Sequence, residues 1–474
     1  MATDRAAEAA EGTAGWREIL AARHLAPLIL VCVGVWLHAA DALLITTMMP
    51  AIIEGIGGAK LVAWNFALYE IGSITAGAAS GLVALRWGPR LPMAVAAVLF
   101  ASGCLVSAAA PSMPVLLAGR VAQGLGGGGL VSLSFVAVGR LFPGPLMPRA
   151  MAAMSLVWGA SAFLGPLAGG IFVTYATWRA GFLFFGLQAA ALSLWIGFGL
   201  RIAAAPDTVA PARLPVTRLA LLAAAILGVA YAGIAATPAL MALSLGAGLA
   251  ALALFARRDA RSGADRLWPR GALDPRTPVG AGLVMVLAMN VGTMGLATYG
   301  PLLLDLIHGT PALVAGYVVA AVSIAWTVSA VLVAGAPARR DPATIGVGMT
   351  LVAVSIALTV YAVPNGPLGL IAFCAVLEGF GYGMAWTFIM RRASALAAPE
   401  DVDRLSAALP TIARLGYALG AAAMGILANR AGFGAGSTPT EAAHVARVIF
   451  AGSLPIVGIG VFAMVRFVTA REGG

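Results

Sequence analysis

Apolar residues in this chain come in long runs instead of at the 3.6-residue spacing of an amphipathic helix or the alternation of a half-buried strand. From Pro27 to Val468, runs of about 20 residues with few internal charges recur, the length a helix needs to cross the hydrocarbon core of a bilayer. Breaks at Pro, Gly and charge clusters divide them into Ala26–Pro50, Leu61–Leu85, Leu91–Ala110, Pro114–Phe142, Ala150–Tyr175 and Gly181–Arg201, then Leu219–Ala235 and Ala239–Ala256. Six more follow: Val279–Leu304, Ala312–Gly335, Ile345–Val363, Leu368–Met390, Leu405–Ala428 and Val445–Val468. The pattern predicts an all-α polytopic membrane protein of 14 helices.

The outer sets of six runs show a weak duplication at an offset of about 255 residues, the internal symmetry of a chain built from repeats. Gln123-Gly124-Leu125-Gly126 matches Glu378-Gly379-Phe380-Gly381, and Gly165, Gly170 and Ile171 match Gly420, Gly425 and Ile426. Gly81 with Arg86 and Arg90 matches Gly335 with Arg339 and Arg340 to within a few residues. The offset exceeds six helices by about two, so the expected organisation is an N-terminal six-helix bundle over residues 1–203, a linker with two accessory spans over 204–277, and a C-terminal bundle over 278–474.

Composition narrows the class further. Only 10% of the 474 residues are charged and 61% are hydrophobic, against roughly 25% charged in a soluble globular chain, which excludes an ordinary cytosolic enzyme. The formal charge of +10 is dispersed in short segments between apolar runs, so it argues for topology and not for nucleic acid. With the first run starting inside, nearly all the arginines fall on the cytoplasmic side, while Lys60, Arg179, Arg430 and Arg447 fall outside. Such an excess predicts both termini in the cytoplasm, and the expected location is the inner (plasma) membrane. No cleaved signal peptide is expected, because the first apolar run begins late and carries Asp41. Cys32, Cys104 and Cys374 are scattered in apolar runs and read as packing residues, with no metal site and no cofactor expected.

Several motifs carry chemistry. Gly81-Leu82-Val83-Ala84-Leu85-Arg86-Trp87-Gly88-Pro89-Arg90 resembles the cytoplasmic loop signature of the major facilitator superfamily, with Gly81, Arg86, Gly88 and Arg90 in place and Leu85 where the family has an acid. That exchange leaves the family's helix brace to be rebuilt from Arg86 and backbone carbonyls. Arg120-Val121-Ala122-Gln123-Gly124-Leu125-Gly126 resembles the family's buried-arginine signature, whose Arg is linked to proton transfer; an Arg inside a span needs a partner. Gly159 with Gly165-Pro166-Leu167-Ala168-Gly169-Gly170 resembles the motif that marks exporters, where Pro166 removes a helix hydrogen bond and the glycines allow close packing. Asp41 followed by Pro50, together with Trp64, Tyr69 and the two inserted spans, is similar to the 14-helix drug:proton antiporter subfamily.

The resemblance implies two six-helix bundles around a central cavity with two accessory helices between them, rocking to expose a midplane site to each side in turn. It implies proton-driven export of a lipophilic or cationic organic compound, with protons and membrane lipids as the other partners and a monomer as the expected state. The alternatives are an exporter of an envelope lipid or glycolipid and, from another class, a membrane-embedded transferase. Asp41, Glu70 and Glu378 stand deep in spans and are the candidate proton carriers, with Arg120 and with His38 one turn before Asp41. Trp36, Trp64, Tyr69, Gln123 and Arg414 are the candidate cavity residues, and Arg414 has Glu378 or an anionic head group as its possible partner. The Gly124–Gly129 stretch lacks the Lys-Ser/Thr of a phosphate loop and reads as a packing surface.

Overall fold

The computed structural model describes residues 16–142, 146–199, 215–263, 266–333, 336–398, 401–434 and 436–470. Fourteen long helices account for most of them: α1 (Ala22–Ile56), α2 (Val62–Trp87), α3 (Arg90–Ala108), α4 (Met113–Leu141), α5 (Met147–Tyr175), α6 (Trp178–Leu194), α7 (Val216–Ala232), α8 (Pro238–Ala260), α9 (Pro278–His308), α10 (Ala312–Val333), α11 (Asp341–Asn365), α12 (Leu368–Leu396), α13 (Val402–Arg430) and α14 (Pro439–Thr469). Twelve of them are long and apolar enough to cross a membrane. The other two are α7, a shorter apolar helix, and α2, whose 26 residues include the polar Asn65, Glu70, Ser73 and Ser80.

Each sequence run falls on one helix, and the differences lie at the ends. Pro50, read as the end of the first run, sits inside α1, which continues to Ile56. An interior proline removes one backbone hydrogen bond and not the helix when neighbouring helices enclose it. Helix α14 starts six residues before Val445, because Thr438 and Glu441 form a reciprocal cap: the Glu441 amide donates to Thr438 Oγ1 at 3.3 Å and the Thr438 amide to Glu441 Oε2 at 2.7 Å.

The duplication is visible in the packing. Helix α2 packs on α4, α3 on α4 and α6, and α1 on α5; each pairing recurs eight helices later as α10 on α12, α11 on α12 and α14, and α9 on α13. Matched glycines set the closest approaches. A Cβ at Gly124 would overlap the backbone of Tyr69, and one at Gly379, 255 residues on, the backbone of Val322. Gly128 against Ser73 and Gly383 against Trp326 repeat the relation one turn further.

The two six-helix bundles meet along α2–α13 and α5–α10, with α1 also touching α9 and α10. The accessory helices are a hairpin: α7 packs on both α2 and α13, and α8 on α7 through Gly228 and Gly248. At its open end Arg218 pairs with Asp259 at 2.7 Å, and Asp259 also accepts the amides of Leu267 and Trp268 at 2.9 Å. Asp401, ahead of α13, holds the same segment through Arg266 at 3.2 Å and the Arg270 amide at 3.0 Å. The expected boundary at residues 203–204 lies outside the described residues.

Candidate functional site

Asp41 on α1 is fully buried and both its oxygens are engaged from α4. Arg120 donates to Oδ2 at 2.5 Å, and Gln123 Nε2 donates to Oδ1 at 3.1 Å. Arg120 also donates to Gln123 Oε1 at 3.2 Å, Ser107 of α3 donates to the same oxygen at 3.2 Å, and the Gln123 amide reaches Cys104 Sγ at 3.1 Å. The i, i+3 spacing of Arg120 and Gln123 puts both on the α4 face that meets α1, so one carboxylate is gripped by two donors. Gln123, read from the sequence as a cavity residue, is instead locked inside this cluster with no exposed surface, because its amide is committed on both sides. Cys104, read as mere packing, is one of its partners.

Tyr69 on α2 joins the cluster from a third helix. The Arg120 guanidinium lies 4.2 Å from the centre of its ring, and its hydroxyl meets His38 Nδ1 at 2.8 Å. His38 therefore bonds to Tyr69 and stacks on it, reaching Asp41 only through Tyr69 and Arg120. The buried phenol also removes Tyr69 from any cavity surface, with 2% of it exposed.

Glu70, the next residue on α2, points elsewhere. Its Oε2 lies 3.7 Å from Arg414 of α13, which also donates to Ser73 Oγ. Arg414 thus pairs with Glu70 across the two bundles, and not with Glu378. Trp64 lies on the same helix and packs into both of the large apolar clusters of the protein. Trp36 is placed between α1 and α6 of its own bundle, donating to Gln188 at 3.0 Å and stacking on Phe185. Glu378 on α12 is 5% exposed.

The Gly-Pro motif sits where α1, α5 and α10 meet. Gly165 and Gly169 face the α1 backbone at Ala40 and Leu44, while Pro166 lies against Gly316, Gly170 against Leu313 and Gly159 against Thr327, all three on α10. Helix α5 runs unbroken through Pro166. In the loop motif, Gly88 takes φ 71° at the end of α2, and Arg90 donates to the carbonyls of Ile196 at 3.1 Å and Gly197 at 2.6 Å beyond α6. Arg140 reaches the Ala84 carbonyl at 3.3 Å, so backbone carbonyls are the partners at this brace. Gly81 and the Leu85 and Arg86 side chains lie outside the described residues. At the opposite end, a cavity of about 520 Å³ between α1 and α9 is lined by Glu54, Asp305 and Phe433.

Reading single residues missed the polar network around Tyr382, which donates to Asn290 of α9 at 2.7 Å, and the ring of Trp326 stacked on it at 5.2 Å. The duplication aligns Glu378 with Gln123 at the 255-residue offset, while the match of Trp326 to Ser73 emerges only from the packing of Gly383 and Gly128.

Two duplicated six-helix bundles with a two-helix hairpin between them, and a buried Arg–Asp pair inside the first bundle, make up a transporter fold, which is not that of an enzyme. The chain belongs to the Major Facilitator Superfamily, whose profile matches residues 31–342. It is 30% identical over 441 residues, covering 90% of this chain and 92% of the relative, to a probable multidrug-efflux transporter of Mycobacterium tuberculosis. The azole resistance protein 1 of Saccharomyces cerevisiae is 32% identical over 154 residues, covering 32% of this chain and 25% of the relative. Among solved structures, a bacterial homologue of the human lysosomal transporter Spinster aligns with TM-score 0.67 at 14% identity, covering 94% of this chain and 97% of that one. The D-xylose–proton symporter aligns with TM-score 0.65 at 16% identity, covering 94% and 97%.

Proposed function

We propose that the chain is a proton-coupled antiporter that exports small lipophilic or cationic organic compounds across the inner membrane by alternating access, with both termini in the cytoplasm. The observation that carries this reading is the buried Asp41–Arg120–Gln123 cluster. A carboxylate in hydrocarbon is expensive unless paired, and removal of its charge by a proton frees Arg120 to shift toward Gln123 and the Tyr69 ring. Proton occupancy thereby becomes linked to how α1 sits on α4. Because α1 also touches α9 and α10 of the other bundle, that linkage has a route to the rocking motion. The Gly-Pro motif at the α1–α5–α10 junction supports export, and the relative named for multidrug efflux supports an organic substrate.

Glu70, Arg414 and Trp64 are the residues of this set that reach the seam between bundles, where substrate charge is read in the same scheme. The test is substrate-induced proton release from energised inverted vesicles, for wild type and Asp41→Asn at matched protein level. The reading requires proton release with wild type and its loss with the variant. Equal release from both removes Asp41 from the coupling step.

A further inference from the structure

The hairpin of α7 and α8 is held to one bundle at both its ends. At the open end, Asp401 ahead of α13 takes Arg266 at 3.2 Å on one oxygen and the Arg270 amide at 3.0 Å on the other. Asp259, near the end of α8, takes the Leu267 and Trp268 amides at 2.9 Å, so the segment 266–270 is bonded to the hairpin on one side and to the C-terminal bundle on the other. Both carboxylates are buried, Asp259 at 2% and Asp401 at 4% exposure. A buried carboxylate held by an arginine and by amides is costly to unseat, because separation strands its charge. At the turn end, a Cβ at Gly233 would lie 3.2 Å from the Ile426 amide nitrogen of α13, and Asn429 of the same helix donates to the Gly233 carbonyl at 3.1 Å.

Apolar packing divides the same way. Leu222, Ile226 and Val229 of α7 and Phe255 of α8 share a buried cluster with α9, α11, α12, α13 and α14, to whose buried members the N-terminal bundle contributes Ala67 and Ile74 of α2. Trp268 closes over Phe255, the two rings edge to face at 4.7 Å. In this cluster α2 is met through small and aliphatic side chains, whose attraction has no preferred direction and survives a shift along the helix. One polar link runs the other way: the Asn429 amide also donates to the Lys60 carbonyl ahead of α2 at 2.9 Å, and this bond is exposed, where water can replace it.

We infer that the hairpin is part of the C-terminal body and travels with it, α2 sliding along α7 as the bundles rock, and that it seals the α2–α13 seam against lipid. Helix α7 lies against both α2 and α13, the position such a seal requires. The seam carries Glu70 and Arg414, whose side chains remain 18% and 23% exposed. A charge that meets hydrocarbon is expensive, and a seal fixed to α13 keeps the helix of Arg414 covered in every position of the N-terminal bundle. The bodies move this way whichever compound is carried and in whichever direction, so failure here leaves the export reading untouched.

The experiment is pulsed electron paramagnetic resonance on the purified full-length protein in lipid nanodiscs, with Cys32, Cys104 and Cys374 replaced by serine. Nitroxides are placed in pairs on cysteines at three exposed positions: Arg261 after α8, Val347 on α11 and Met151 on α5. Between acid and alkaline pH the Met151–Val347 and Arg261–Met151 distances are expected to shift together by several ångströms, while Arg261–Val347 stays within about 2 Å. Asp401→Ala is expected to broaden the Arg261–Val347 distribution. If that variant does not fold, Arg266→Ala, which removes the ion pair and spares the Arg270 amide bond, takes its place. A single nitroxide on Ile74→Cys, where the native side chain is 6% exposed, should stay shielded from dissolved oxygen at both pH values. An Arg261–Val347 distance that shifts with the bundles, three distances that do not change, or an Arg261–Val347 distribution unaffected by loss of the anchor overturns the single-body assignment, and oxygen access at Ile74 overturns the seal.

Discussion

Arg414 on α13 lies 3.7 Å from Glu70 on α2, so an ion pair joins two helices that belong to different bundles. The same two helices touch again toward the other end, where a Cβ at Gly425 would meet the side chain of Ala63. Arg414→Gln leaves Glu70 without its cation and is expected to loosen this seam. A cysteine at Ala63, which is 2% exposed, should react with an impermeant maleimide about threefold faster in the Arg414→Gln background, since breaking a partly buried pair strands the remaining charge. The charge-exchanged Glu70→Arg/Arg414→Glu protein should return toward the wild-type rate. Unchanged labelling in the single variant means that the pair does not hold the seam.

Asp41→Asn keeps the shape of the carboxylate but leaves Arg120 buried with only Gln123 and the Tyr69 ring. Removing one partner of a buried pair costs about 3–5 kcal/mol, so the variant should be less heat-stable as well as uncoupled. Asp41→Asn/Arg120→Gln should recover most of the thermal midpoint without recovering proton exchange. Thermal unfolding of the purified proteins, set beside the vesicle assay, separates structural loss from loss of coupling. Recovered exchange in the double variant would argue against a role for the pair in proton movement.

Gly159 on α5 faces Thr327 on α10, with a Cβ at Gly159 falling 3.6 Å from the Thr327 methyl. Cysteines at both positions lie within reach of a disulfide that ties the two bundles together. Oxidation of Gly159→Cys/Thr327→Cys should reduce transport at least about tenfold, and reductant should restore it, as expected if the bundles move apart during the cycle. Each single cysteine variant should be insensitive to oxidant. Full transport by the cross-linked protein would show that this seam stays closed throughout.

Pro166 packs on Gly316 of α10 while Gly165 and Gly169 press on α1. Pro166→Ala restores a backbone hydrogen bond to α5 and should remain in the membrane at normal level while losing most efflux. Gly165→Val is a stronger lesion, because a Cβ there already comes within 2.9 Å of Leu43 Cβ and two further methyls have no room. It should lower the amount of folded protein. Normal drug efflux by Pro166→Ala would reduce the motif to packing.

Topology is open to a direct check. Gly309 follows α9 with φ 60°, Gly436 lines the cavity with Glu54 and Asp305, and Gly263 follows α8. Impermeant thiol reagents added to intact cells should label cysteines at Gly309 and Gly436 and spare one at Gly263. Labelling of Gly263 from outside contradicts cytoplasmic termini.

The number of long helices, their approximate limits and the duplicated frame could all be read along the chain. A bilayer leaves a backbone no choice but to satisfy its polar groups within each helix, so length and apolarity suffice to find the spans. That Asp41, Glu70 and Glu378 stand well inside their helices followed for the same reason, since rise per residue is fixed. Matching glycines disclosed the repeat because close helix approach tolerates nothing larger.

What lay beyond the sequence was partnership. Asp41 meets Arg120 from 79 residues away, and Arg414 meets Glu70 from 344 residues away; spacing on one helix carries no record of either. His38 stands one turn from Asp41 but bonds to Tyr69, because the hydroxyl of a neighbouring helix comes within 2.8 Å. Gln123 and Tyr69 were legible as polar residues of the right depth, yet only the packing of α1 through α4 enclosed them in the Arg120 cluster and left the seam to Trp64, Glu70 and Arg414. Depth is a property of one helix, but the direction a side chain takes is set by rotation about the helix axis and by which neighbours it finds there, and these are fixed only when all the helices pack at once.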